Sequence, residues 1–408
     1  MPTLAAIQAT AEIPADQLLD VGVRLFNPGL AKEFEDHPEL AAKKGISVDI
    51  RRAEARYLPS LLRSTLESTG DWGAVRVIPP AVLVMDVMVD GTIVRSSGYE
   101  LALDISVTDS AGRRWFQKRY QQQADTASYR DGPGRSRDPY QNIYAQIAND
   151  MLAYREQLPK AELVSIARVT RLRFGIDLAP ASFQGCLARD KPHAGNAEYR
   201  VVRLPAAGDP VIDRTDRIRE RDAAMIDTVS EYYAAFAERM AEPYTGWRRS
   251  TYDEIDAEQA ANGQAVAREV LGAAAVLGGV LAPATCGGSS NCESIEGAVR
   301  AGAVAGGVIA VVSGLEQGKE ARVHADSLKE ITGSFQAEAA PMVVDLEGRT
   351  LRLTGTAEAQ YAEWRRLLHD LYGEETGIVT DPPSTADAKS AAGPPAATAV
   401  LPPAKDPT

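Results

Sequence analysis

The chain has little of what usually advertises chemistry. Its 408 residues include three cysteines and four histidines. The histidines, His37, His193, His324 and His369, show no metal-ligand spacing, which excludes a zinc site built from local sequence. HExxH, GxSxG, Walker and CxxC patterns are all missing, so no catalytic, cofactor or metal residue is assigned. An excess of basic charge is missing too. Lys and Arg number 44 against 56 Asp and Glu, a formal net charge of −12. That balance disfavours nucleic acid and anionic lipid headgroups as partners. The opening "MPTLAAIQATAEIPADQ" has neither the basic nor the apolar region of a signal peptide. Either the chain is cytoplasmic, or this start lies downstream of the true one.

Long hydrophobic runs are also short. The two most apolar stretches lie between Val266 and Leu315, "AVAREVLGAAAVLGGVLAPA" and "AVRAGAVAGGVIAVVSGL". Each uncharged run has about 15 residues, about 22 Å as helix. A bilayer crossing takes about 20 residues for a core of about 30 Å. Both stretches are instead rich in small residues. Gly302 and Gly306 form a GxxxG pair, as do Gly314 and Gly318, while Ala274/Gly278 and Ala275/Gly279 repeat the spacing on the first segment. Such faces let helix backbones approach closely, and glycine costs helix propensity, so this density needs a packing reason. We expect a helical hairpin over 264–316, with Gly272, Gly278, Gly279, Gly302, Gly306, Gly307 and Gly314 as packing or membrane-association residues. Its outer face meets the chain's own core, a sister subunit or a membrane through 266–315. "GAVAGG" is not a dinucleotide loop, because a helical segment precedes it and the glycine order is wrong.

Cys286 and Cys292 bracket "GGSSN" between the two segments. A disulfide there is sterically easy and suits an oxidising compartment such as a bacterial periplasm. Two free thiols in a cytosolic loop are the alternative.

The rest of the chain is soluble in character, 45% hydrophobic and 25% charged, and long enough for two domains. Residues 1–16 read as a loose leader. Leu19, Val21, Val23 and Leu25 alternate as a strand ending at Asn27-Pro28-Gly29. A polar insertion follows. Ala53, Tyr57, Leu58, Leu61, Leu62 and Leu66 then mark an amphipathic helix, kinked or restarted at Pro59. "GAVRVIP" is a short strand. Val87, Val89 and Ile93, then Tyr99, Leu101, Leu103, Ile105 and Val107, alternate through an antiparallel meander with turns at Ser96–Gly98 and Ser110–Gly112. Asp86, Asp90, Asp104 and Asp109 sit at its strand ends and turns, where aspartate is ordinary. Arg113, Arg114, Lys118, Arg119, Arg130 and Arg135 read as solvated surface cations.

This order of elements resembles the periplasmic α/β domain of CsgG-like and related outer-membrane lipoproteins. The resemblance rests on Phe26-Asn27, Trp72 to Pro79, Asp86 to Ile93 with Gly91, and Asp109 to Gly112, and covers about the first 120 residues. It implies a periplasmic or outer-membrane location and an assembly role. The chain lacks the family's lipobox cysteine and its pair of amphipathic pore hairpins.

Beyond a Gly/Pro/Arg loop, helices are expected over Tyr140–Gln157, over "AELVSIARVTRLRFGIDLAP" up to Pro180, and over Arg214–Met240. The mixed-charge start of the last, "RTDRIRERD", reads as a solvated face. "EPYTGWRRSTYDE" reads as a break, followed by a fourth helix. Two short strands around Gly348 and a helix through Tyr361, Trp364, Leu367, Leu368 and Leu371 come next. Residues 377–408 have the composition of a disordered tail. The fold class is α+β: an α/β sandwich over 17–125, a helical region over 138–262, the hairpin, and a short α/β element over 317–376. The function expected is non-enzymatic assembly with itself or with another envelope protein. A hydrolase or transferase with a site near Gly132–Arg137, or a cytosolic scaffold, are the alternatives.

Overall fold

A computed structural model describes residues 3–42, 44–124, 126–129, 138–190, 198–206, 208–279, 323, 326–331, 333, 342–346 and 349–376. The expected α+β class is observed. A five-stranded sheet runs in the order β2-β1-β3-β4-β5, from β1 (Val21–Arg24), β2 (Val75–Ile78), β3 (Val87–Ser96), β4 (Glu100–Asp109) and β5 (Arg114–Gln123). β1 pairs in parallel with β2 and β3, and β3, β4 and β5 form the expected antiparallel meander. Parallel β1 lies inside the sheet between β2 and β3, and Val21, Gly22 and Val23 are all buried, as covered parallel strands are. An added Cβ at Gly22 would stand 2.6 Å from the Ile78 side chain.

The alternating apolar residues of the meander turn inward as one face. Val87, Val89, Ile93, Leu101, Leu103, Ile105 and Val107 are all fully buried. The other face carries the ion pairs Arg119–Asp104 and Arg24–Asp90, both with a partly or largely exposed partner. The polar insertion contains two short helices, α1 (Lys32–Asp36) and α2 (Pro38–Ala42). The helix α3 (Val48–Thr69) starts on a Ser47 cap and ends on Gly70 at φ 72°, an ordinary glycine C-cap. It continues through Pro59 as one helix, so of the kink or restart expected there the restart does not occur. Pro59 is buried against the core, and that packing offsets one lost backbone bond.

Helices α4 (Gln141–Gln157) and α5 (Lys160–Leu178) follow the sequence reading. A small hairpin, β6 (Leu187–Arg189) and β7 (Tyr199–Val201), precedes the dominant helix α6, Pro210–Gly279. β8 (Met342–Leu346), β9 (Arg349–Leu353) and α7 (Ala357–Thr376) form the expected C-terminal element. One buried apolar cluster runs from Leu19 through Phe236 to Tyr372. The helical region and the C-terminal element therefore share a core with the sheet.

α6 corrects the sequence reading in its middle. No break occurs at "EPYTGWRRSTYDE"; the helix continues through Pro243 and Gly246 for 70 residues in all, about 105 Å at 1.5 Å per residue. Proline in a helix interior costs roughly 3 kcal/mol and removes the bond to the carbonyl four residues back. Here that carbonyl belongs to Arg239, an exposed residue, so water can satisfy it. On the opposite side Phe236, Met240, Tyr244 and Arg248 are buried, and their packing carries the helix through.

Candidate functional site: a clamped helix

The site with the most structure around it is the base of α6 and the segment that it carries outward. The helix begins with Asp209 accepting from the Val211 amide at 2.9 Å and with Pro210 at its first position, where the missing N–H costs nothing. Ile212, Ile218, Met225, Val229, Tyr233 and Phe236, with Thr215 and Asp222 between the first three, form its inner stripe at three- and four-residue steps. Four polar residues stand in that stripe, Thr215, Asp222, Ser230 and Arg248, and all are buried. A buried polar group costs stability unless it is paired, and each is paired.

Arg248 is 1% exposed and donates to Asp138 at 2.6 and 3.3 Å. Its guanidinium lies 4.3 Å from the Tyr244 ring and 5.5 Å from that of Tyr140, so aromatic faces cover it. The Tyr244 hydroxyl donates to Glu54 of α3 at 2.6 Å, and the Ser96 hydroxyl donates to the same oxygen. Arg51 stands 3.6 Å from Glu54. Burial pushes the Glu54 carboxyl above its ordinary range, against the pull of Arg51. The turn between β3 and β4 completes the clamp. A Cβ on Gly98 would fall 1.8 Å from the Arg248 carbonyl oxygen, so only glycine lets the turn touch the helix backbone. The Tyr129 and Tyr140 hydroxyls hold that turn, donating to the carbonyls of Gly98 at 2.6 Å and Ser97 at 2.8 Å.

A second clamp ties α7 to α5 and α6. Asp222 accepts from the Tyr361 hydroxyl at 3.2 Å and from the Trp364 indole at 3.1 Å, with Arg365 at 3.5 Å. Arg365 also donates to Asp177, which lies 3.0 Å from His369 Nε2. The expected solvated face of "RTDRIRERD" therefore needs correction at Thr215, Ile218 and Asp222, which are buried. Asp222 is core because α7 covers it, and burial raises its carboxyl above the usual range. Asp177, which is half-buried, and the buried His369 are in hydrogen-bond contact. The Asp177 carboxylate is shared with Arg365, an arrangement that fixes helices together.

Between the base and the small-residue tip, α6 passes Tyr252, which stacks on Tyr99 at 6.0 Å. The helix then runs about 40 Å further, to Gly279. Gly272, Gly278 and Gly279 lie in its last turns. Gly272 and Gly279, seven apart, share one face, and Ala274 and Gly278 share another. Gly302, Gly306, Gly307, Gly314, Cys286, Cys292, the second hairpin segment and the tail at 377–408 lie outside the described residues, as do Arg130, Arg135 and the Gly132–Arg137 loop. Cys186 is buried and free. Among the described residues, no helix is long and apolar enough to cross a membrane, and no cluster of His, Cys, Asp and Glu converges as a metal site.

The surface cations of β5 are paired: Arg113 with Glu162, Lys118 with Asp150, and Arg119 with Asp104. Asp86 and Asp109 are more than turn residues. Asp86 accepts from the Asp20 amide at 3.0 Å and from Thr170 at 2.5 Å, and Asp109 accepts from the Trp115 indole at 3.1 Å. Asp86 thereby ties the end of the sheet to Thr170 of α5, and Asp109 holds the β4–β5 turn, accepting also from the Arg113 amide. The sequence reading missed Glu54, Asp138, Asp222, Arg248 and Arg365 as core residues. One signal was available: Asp222 and Arg248 occupy apolar-stripe positions, three before Met225 and four after Tyr244.

Comparisons with protein-family models, with curated proteins and with solved structures return no match.

Proposed function

We propose that this chain is a non-enzymatic assembly protein of the bacterial cell envelope, periplasmic or associated with the outer membrane, with a CsgG-like α/β body. Its working part is the small-residue segment at 264–316. Copies of the chain, or another envelope protein, pack against that segment, with a membrane surface near 266–315 as a further contact. One observation carries this reading. The first small-residue run is the end of a single helix whose base is anchored by two buried ionic clamps. A helix so held presents its tip in a fixed direction, which favours association over a chance apolar run. Gly272, Gly278 and Gly279 are the close-approach positions on the described arm, with Gly302, Gly306, Gly307 and Gly314 as their counterparts beyond it. A Cys286–Cys292 disulfide would close the tip in an oxidising compartment.

Size-exclusion chromatography with light scattering tests this, on the native chain and on the pairs Gly272→Leu/Gly278→Leu and Gly302→Leu/Gly306→Leu. An oligomer that dissociates in both variants while the melting curve is unchanged supports it. A native chain that is monomeric across the accessible concentration range overturns the self-association. Thiol mapping of the native protein tests the compartment: reduced Cys286 and Cys292 argue for the cytoplasm.

A further inference from the structure

Within the expected loose leader of residues 1–16, residues 4–9 are held along α4 and the end of α3. Asn142 Oδ1 accepts from the Leu4 amide at 3.0 Å, and Asn149 Oδ1 accepts from the Ile7 amide at 2.8 Å. Asn149 Nδ2 donates to the Ala5 carbonyl at 3.2 Å. The Ala9 amide then donates at 2.8 Å to the carbonyl of Thr69, the last residue of α3, one of the carbonyls a helix end leaves without an intrahelical partner. Each of these bonds falls on a main-chain atom of the strap. The spacing is commensurate. Seven helical residues rise about 10.5 Å, and three extended residues span about 10 Å. Two asparagines two turns apart therefore meet every third residue of an extended chain. The side chains of Leu4 and Ile7 stand 39% and 54% exposed, while Ala6 packs on the core.

We propose that this face of α3 and α4 is a binding groove for an extended peptide, read through its backbone. Its cis occupant is residues 4–9, and its trans occupant is the same segment of a second copy. Recognition by main-chain bonds fixes conformation and leaves most side chains free. The strap is followed by exposed residues at 10–12, a hinge over which it can be exchanged. An exchanged strap keeps every contact that it makes in cis, which makes swapping a low-cost route to association. The second-copy occupant deepens the assembly reading above, whereas the groove stands without it.

The test uses full-length chains. An acceptor carrying Leu4→Pro and Ile7→Pro loses both amide donors and opens its own groove. A donor carrying Asn142→Ala and Asn149→Ala keeps a native strap and lacks the asparagines. A fluorescent peptide of residues 3–12 should bind the acceptor at least tenfold more tightly than it binds the native chain, whose groove is filled at high effective concentration. It should lose at least tenfold when the asparagine substitutions are added to the acceptor. Equal mixtures of donor and acceptor should form a complex larger than either chain alone. Failure of the folded acceptor to bind peptide overturns the groove. Peptide binding without a donor–acceptor complex overturns the second-copy occupant. Association through the α6 tip is common to all variants and is read from each chain alone, so the two ideas fail separately. Amide exchange in the native chain is an independent check that needs no strap variant. Leu4, Ile7 and Ala9 should be protected and should lose at least tenfold of that protection in the donor; exposed rates in the native chain overturn the cis contact.

Discussion

The two ends of α6 belong to one helix and obey different rules. Its base, from Ile212 to Tyr252, buries large side chains and five polar residues, Thr215, Asp222, Ser230, Arg248 and Ser250, against three other helices, β2 and a strand turn. Its tip is written in glycine and alanine. At the base, identity matters because each buried polar group is matched to particular partners, as Asp222 is to Tyr361, Trp364 and Arg365. At the tip, on the assembly reading proposed above, smallness is what matters, since it sets how near another backbone can come. A residue change that is severe at one end should be mild at the other, in stability at least.

The largest effect should follow Arg248→Ala. It leaves Asp138, 8% exposed at its side chain, as a buried carboxylate without its partner. Breaking such a pair costs about 3–5 kcal/mol, and urea unfolding should show it. A loss below 1 kcal/mol would mean that the base is not clamped as described. Next, Gly98→Ala should cost about 1–3 kcal/mol, because its Cβ meets helix backbone that cannot rotate away. If the variant matches the native chain in thermal melting, the turn does not press on α6.

Glu54 gives a smaller effect with a definite sign. Burial holds its folded-state value above the ordinary 4.5, so the folded chain retains a proton that the unfolded chain releases. Its contribution to stability is complete below the unfolded value and is lost as pH rises through the window up to the folded one. Glu54→Gln keeps an acceptor for Ser96 and Tyr244 and removes the titration. Unfolding free energy plotted against pH from about 4 to 8 should therefore fall less steeply in the variant. Parallel curves would show that Glu54 does not titrate differently on folding. Smallest of all, Gly272→Leu/Gly278→Leu should change stability by less than about 0.5 kcal/mol, as surface changes do, while abolishing association. A large loss of stability would instead place the tip in the chain's own core.

Much of this architecture was legible locally. Alternation named the strands of the meander, because a sheet with one covered face repeats every two residues. Three- and four-residue spacing named α3, α4, α5 and α7 for the same geometric reason. The clamps were not legible. Glu54, Asp138 and Arg248 are far apart in sequence, and a charged residue is by default read as solvated. The strap was illegible for another reason. Asparagine bonds to backbone atoms depend on where a second segment lies, and "TLAAIQAT" has no pattern of its own.

By itself, the sequence determined the fold class, the strand faces and the small-residue spacing at the tip of α6, since each follows from periodicities of two or of 3.6 residues. Tertiary structure alone decided that α6 runs unbroken through Pro243, that Asp222 and Arg248 belong to the core, and that residues 4–9 are bound along α4 and α3. In each of these cases a local preference worth about 1–3 kcal/mol was outweighed by contacts from residues distant in the chain, and such contacts leave no period to read.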